Sequence, residues 1–218
     1  MKNNEQLISD LASDLAPVQR PPDVNVLGLA WLLLSAGFVI AVTQLLGPLR
    51  PGAFLQLASE PRFLLETLLG LLAIAWTGLA AFRAAIPAAL PRKFAVIGLV
   101  LMAIWLAQYL FGLVSPALET STLGKRDRCF LETMIYAVPP ILAALFLMRR
   151  LYPLNYVRAS MSVGLAAGML PALYMQLACM YDPGHALLFH YLPGVAAAAA
   201  FTAVVAGVQA LKWRKDYR

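Results

Sequence analysis

Charge is scarce in this chain. Of its 218 residues only 13% are Asp, Glu, Lys or Arg, while 61% are hydrophobic. Soluble chains run at about 25% charged and about 45–50% apolar, so a soluble domain is excluded. The short alternating segments of a membrane β-barrel, about ten residues each, are lacking too. So is a basic start running into an apolar stretch, which a cleavable leader requires. The opening MKNNEQLISDLASDLAPVQR is polar, and the first hydrophobic block, from near Val24, is expected to stay in the mature protein. Cysteine and histidine number two each, Cys129, Cys179, His185 and His190. They form neither a CxxC pair nor a zinc-finger spacing. The net charge of +6 is scattered between apolar blocks, so it reads as topology signals and not as a nucleic-acid-binding stripe.

What is present is six charge-poor blocks, at about 24–47, 63–86, 94–115, 129–148, 159–181 and 188–211. Each approaches the roughly 20 apolar residues that cross a bilayer as a helix. Breakers separate them: Gly47-Pro48 to Pro51-Gly52, Pro87 and Pro91, Pro116, Pro153, and the tight turn Asp182-Pro183-Gly184. The expected fold is all-α, a polytopic membrane bundle of six transmembrane helices (24–218) preceded by a cytoplasmic segment (1–23) with a short amphipathic helix. Basic residues near span ends favour the cytoplasm. With both termini inside, that side holds Lys2, Arg20, Arg83, Arg92, Lys93, Arg149, Arg150, Arg158, Lys212, Arg214, Lys215 and Arg218, twelve in all. The other side holds five: Arg50, Arg62, Lys125, Arg126 and Arg128.

This orientation puts Cys129 at the outer start of the fourth helix and Cys179 at the outer end of the fifth. Asp182 and His185 fall in the outer turn, and His190 early in the sixth helix. Glu66, Glu132, Gln44, Gln108, Tyr109 and Gln176 also fall in outer halves of their spans. Ionisable groups are expensive in lipid, so an outward-opening watery cavity is expected. Gly164 and Gly168 form a small-xxx-small pair for close helix approach. Pro139-Pro140, Pro171 and Pro193 interrupt the last three helices.

At the N-terminus Leu7, Ile8, Leu11, Leu15 and Val18 fall on one helical face. Asn3 or Asn4 can cap this helix, and Pro21-Pro22 end it. Its polar side carries Glu5, Asp10 and Asp14 rather than the Lys and Arg of a lipid-surface helix. A helix this short is marginal alone, so either it frays or it folds against the bundle or a basic cytoplasmic protein. Leu7, Ile8, Leu11, Asp14, Leu15 and Val18 are the candidate partner-binding residues.

Three roles remain open to the cysteines. They are small buried hydrophobes, a disulfide on the oxidising side of a bacterial inner membrane, or a soft-metal or oxidant sensor helped by His185, His190 or a carboxylate such as Asp182 or Glu132. Arg126 and Arg128 favour a thiolate at Cys129, and Asp127 partly offsets them. The histidines also suit hydrogen-bonded structural roles, and the glutamates suit pairing near a helix start. No resident cofactor is expected, beyond transient heavy-metal binding.

Ser13-Asp14-Leu15-Ala16-Pro17-Val18 followed by Arg20-Pro21-Pro22, then Arg128-Cys129-Phe130-Leu131-Glu132-Thr133 leading to Pro139-Pro140, the Gly-rich fifth helix ending at Cys179, Asp182, and Phe189-His190 resemble the NrsF-like family of bacterial inner-membrane anti-sigma factors over nearly the whole chain. Ala178 and Phe189 depart from the His and Trp common in that family. The resemblance implies a negative regulator, not an enzyme, that sequesters an extracytoplasmic-function sigma factor without touching nucleic acid. It also implies that Cys129 and Cys179 serve the response to heavy-metal or oxidative stress. A rival class is a thiol oxidoreductase, or a small carrier using Glu66 and Glu132. Against it stand the missing CxxC and the absence of a carboxylate near the midplane.

Overall fold

The computed structural model describes residues 3–13, 22–151, 153 and 155–216. Among them the secondary structure is helical, apart from one isolated bridge between Ser121 and Tyr181. Helix α1 (Asn4–Ser13) begins where Asn3 O accepts from Gln6 N at 3.0 Å. Among the described residues no helix of the bundle packs extensively against it, and Ile8 on its apolar stripe is 65% exposed. Leu15 and Val18 of the expected stripe and Asp14 of the polar side lie outside the described residues, as do the side chains of Leu7 and Leu11.

Among the described residues six helices are long and apolar enough to cross a membrane. Helix α2 (Val24–Leu46) starts at Asp23, whose carboxylate accepts from Asn25 N (2.8 Å) and Val26 N (3.4 Å), the capping arrangement that satisfies orphan N–H groups. Its 23 residues rise about 35 Å, enough for a hydrocarbon core of about 30 Å. Next come α3 (Ala53–Ser59), α4 (Pro61–Ala84), α5 (Arg92–Gly112), α6 (Cys129–Met148) and α7 (Tyr156–Ala178). The short α8 (Pro183–Ala186), a π turn (Leu187–Tyr191) and α9 (Leu192–Asp216) form one continuous final helix.

Two boundaries differ from the sequence reading. Helix α3 occupies the first connection, which was expected to be loop; Gly52, at φ 78°, takes the left-handed turn before it, a conformation glycine adopts freely. The Asp182-Pro183 step opens a helix rather than only turning the chain. Asp182 caps it and Pro183 sits in its first turn, where a missing N–H does no harm.

Helix α7 is the hub, packed on α9, α4 and α6. In α7 72% of the apolar stretch is buried, against at most 44% in any other span. Its small residues explain this. A Cβ added at Gly164 would sit 3.2 Å from Ala198 Cα, and one at Gly194 would sit 2.6 Å from Gly168 O, so the α7 and α9 backbones touch. Leucines 34, 45, 131 and 142, among others, point outward around the bundle, as helices facing lipid would have them. Helices α6, α7 and α9 continue through Pro139-Pro140, Pro171 and Pro193. Pro140 O accepts a hydrogen bond from buried Trp31 Nε1 at 2.8 Å, joining α6 to α2.

The connections 47–60, 113–128 and 179–182 knit together at one end. Arg50 N donates to Leu177 O (3.2 Å), Ser121 N to Tyr181 O (3.0 Å) and Ala117 N to the Tyr181 hydroxyl (2.9 Å). The cysteines and histidines lie under this cap.

Candidate thiol and imidazole site

Four short-range decisions of the chain build the site. Cys129 opens α6. Cys179 closes α7 in extended conformation, its N–H donating to Met175 O at 2.8 Å. His185 is held on α8 because Asp182 Oδ1 accepts from its backbone N–H at 2.6 Å. His190 sits on the π turn. In an α-helix, residues five apart face directions about 140° apart; the wider turn, closing i to i+5, brings them toward one side. Accordingly the two imidazoles meet edge to face, 5.1 Å between centroids, and Phe189 stacks on His185 at 4.7 Å.

The result is a compact group of donors. One sulfur or nitrogen from each of Cys129, Cys179, His185 and His190 lies within 4.8 Å of all the others. His185 Nε2 is 3.2 Å from Cys129 Sγ and 3.6 Å from Cys179 Sγ. Both cysteines are free thiols. Cys129, Cys179 and His190 are 2%, 0% and 1% exposed, and His185 is half-buried at the rim. Neither ring nitrogen of His190 has a hydrogen-bond partner among the described residues. Hydrogen bonding from the Cys129 thiol holds the Cys179 thiol well below its ordinary range, against burial. Chemically the group can bind a soft or borderline ion, or close a disulfide.

A family profile described as NrsF, negative regulator of sigma F, matches residues 11–213. The chain belongs to this family. No curated protein and no solved structure matches it. Membership makes the chain a member of a family of regulators that act negatively on a sigma factor.

The other expected site residues are placed differently. Asp182 acts through the α8 cap and contributes no donor to the group. Glu132 Oε2 takes Arg126 Nε at 2.7 Å, and Arg126 also reaches Pro48 O at 3.5 Å, so that guanidinium is engaged away from the Cys129 sulfur. The remaining polar side chains form a separate web. Glu66 accepts from Arg62 Nε (3.1 Å) and, with the Gln108 amide turned so that its nitrogen faces the carboxylate, from Gln108 at 3.0 Å. The Tyr109 hydroxyl donates to Gln176 Oε1, and Gln176 Nε2 to Thr67 Oγ1 at 3.3 Å. Gln44 Nε2 donates to the Tyr174 hydroxyl at 3.0 Å. The enclosed space beside this web, also lined by His190, is about 10 Å³, room for roughly one water. The web around Glu66 thus leaves almost no open space, and an open hollow of about 550 Å³ at this end lies instead beside Arg126, Arg128 and Glu132.

Arg50 is the residue that sequence reasoning passed over as a topology signal. Only 3% exposed, it lies over the rings of Phe63 (5.9 Å) and Tyr181 (5.8 Å), and its Nε and Nη2 have no acceptor among the described residues. Burial pushes its guanidinium below the usual range, an effect that Tyr181 and Cys179 oppose. Nothing in a Pro- and Gly-rich loop announces a buried cation.

Proposed function

We propose that this protein is an anti-sigma factor of the bacterial inner membrane with both termini in the cytoplasm. It holds an extracytoplasmic-function sigma factor through the acidic N-terminal helix. It releases that factor when metal or oxidative stress acts on Cys129 and Cys179. The family match over residues 11–213 carries the reading. Three further observations support it. Six helices among the described residues have the length and hydropathy of spans. Among the described residues helix α1 makes few contacts with the bundle and carries Glu5 in its first turn, which suits a basic partner. The thiols gather at the end of the bundle where α6 begins and α7 ends, so a change there is felt by two core helices.

The coupling required is small. Tenfold release needs about 1.4 kcal/mol, within the usual allosteric range of 1–3 kcal/mol. The test is co-purification of the tagged protein from membranes with its sigma factor, before and after stress, alongside a sigma-dependent reporter. The intact chain is expected to retain the sigma factor, and a chain lacking residues 1–20 to lose it while remaining in the membrane. Replacing both cysteines by serine should abolish induction. Equal retention without residues 1–20 removes the helix from the mechanism, and unchanged induction in the double serine variant refutes the sensing role.

A further inference from the structure

The donor group has the makings of a coordination site rather than of a thiol pair with histidine neighbours. We propose that Cys129, Cys179, His185 and His190 together bind one divalent d10 ion of borderline softness, Zn²⁺ or Cd²⁺, in four-coordinate tetrahedral geometry. This deepens the sensing reading and rests on it for its regulatory meaning, although binding itself is measured separately.

Three independent observations point to such a ligand. The first is spacing. Zinc bonds of about 2.3 Å to sulfur and about 2.0–2.1 Å to nitrogen put neighbouring donors roughly 3.3–3.8 Å apart around a tetrahedron. His185 Nε2 already stands 3.2 Å and 3.6 Å from the two sulfurs, and all four donors fall within 4.8 Å. Only a slight contraction is needed. The second is His190. An imidazole 1% exposed, with both nitrogens lacking a partner among the described residues, is costly unless something satisfies it. A bound ion would satisfy the nitrogen that faces the thiols. The third is backbone. The π turn places His190 on the side of His185, and such turns occur frequently at functional sites.

Donor chemistry and charge narrow the ion. Two thiolates and two imidazoles suit zinc-like metals, whereas hard cations take oxygen. Binding proceeds without redox change. Each thiol releases its proton to water as sulfur bonds the metal, the imidazoles enter neutral, and M²⁺ plus two thiolates gives a neutral centre. Neutrality matters because an uncompensated charge in a buried place is strongly unfavourable. The half-buried His185 is the outermost donor and marks the way in. The loaded centre ties the start of α6, the end of α7 and the α8–π turn to a single point.

The experiment uses the full-length protein, reduced, stripped with chelator and held in detergent, titrated with Co²⁺ as an optical probe and with Cd²⁺. Expected are one equivalent of each, the intense d–d bands of tetrahedral cobalt, thiolate-to-metal charge transfer, and protection of both thiols from alkylation. His185→Ala and His190→Ala should each weaken binding at least tenfold and alter the d–d bands. Should His190→Ala fail to fold, His190→Cys restores a donor and should bind with stronger charge transfer. Wild-type affinity and spectrum in both histidine variants would overturn the proposal. So would a site that takes only Cu⁺ at the two sulfurs, indifferent to the histidines. If the metal binds but the reporter stays silent, the sensing reading fails alone. If induction persists where the histidine variants no longer bind metal, the four-coordinate site stands and its part in sensing fails.

Discussion

Gly168→Ala is the sharpest perturbation of the bundle, because a single methyl group reverses the ordinary sign of a glycine replacement. In an open helix, Gly→Ala stabilises by about 0.8–1 kcal/mol. At Gly168 the new Cβ would lie 3.0 Å from the carbonyl carbon of Gly194 and closer still to its oxygen. That oxygen belongs to backbone and cannot swing aside as a flexible side chain would. Helices α7 and α9 must therefore separate along their closest line, and overpacking of this kind costs typically 1–3 kcal/mol. Gly37→Ala in α2 and Gly207→Ala in α9 are the controls, since a Cβ there meets nothing within 4 Å. The comparison is unfolding of purified protein in detergent, followed by loss of helical signal. The controls should match or exceed the parent in stability, and Gly168→Ala should fall below it, a spread of roughly 2–4 kcal/mol between the two kinds of variant. Gly168→Ala at or above the controls would show that the α7–α9 approach does not limit stability, and the argument from close packing would be wrong.

Two further outcomes follow from the same geometry. Asp182→Ala removes the acceptor that holds His185 N–H at 2.6 Å and should cost about 1 kcal/mol of stability; it should also weaken Co²⁺ binding, with Asp182→Asn retaining most of both, as read by titration and thermal unfolding. Trp31→Phe removes the donor to Pro140 O and should destabilise by about 1 kcal/mol in the same unfolding assay, without changing the metal titration.

The fold was legible where it depends on hydropathy alone. Blocks of some twenty apolar residues without charge leave a helix little alternative in lipid, and each expected span has its counterpart. Boundaries were less legible. Helix α7 ends at Ala178, three residues short of the hydrophobic block, so Cys179 is a cap and Tyr181 belongs to the connection. Helix α3 escaped notice because the eight residues between Pro51-Gly52 and Pro61 read as punctuation. In the site, topology placed both cysteines at one end, yet spacing could not reveal that they approach. A five-residue gap between histidines argues against one helical face unless the helix widens, and nothing in Leu187–Tyr191 signals a π turn. The polar web was visible as outer-half polar residues, but their mutual satisfaction is a property of packing and not of sequence.

The π turn also sets a phase. Upstream of it stand Asp182 and His185, tied to the cap; downstream stand Gly194 and Ala198, locked against Gly168 and Gly164. One residue more or less in that turn would rotate everything beyond it by about 100°. The final helix could then keep His185 with the thiols, or Gly194 against α7, but not both. Deleting an outward residue such as Leu188, which is 59% exposed, would therefore act like a frameshift in three dimensions. It would remove no donor and fill no cavity, yet uncouple the donors from the interface that depends on them.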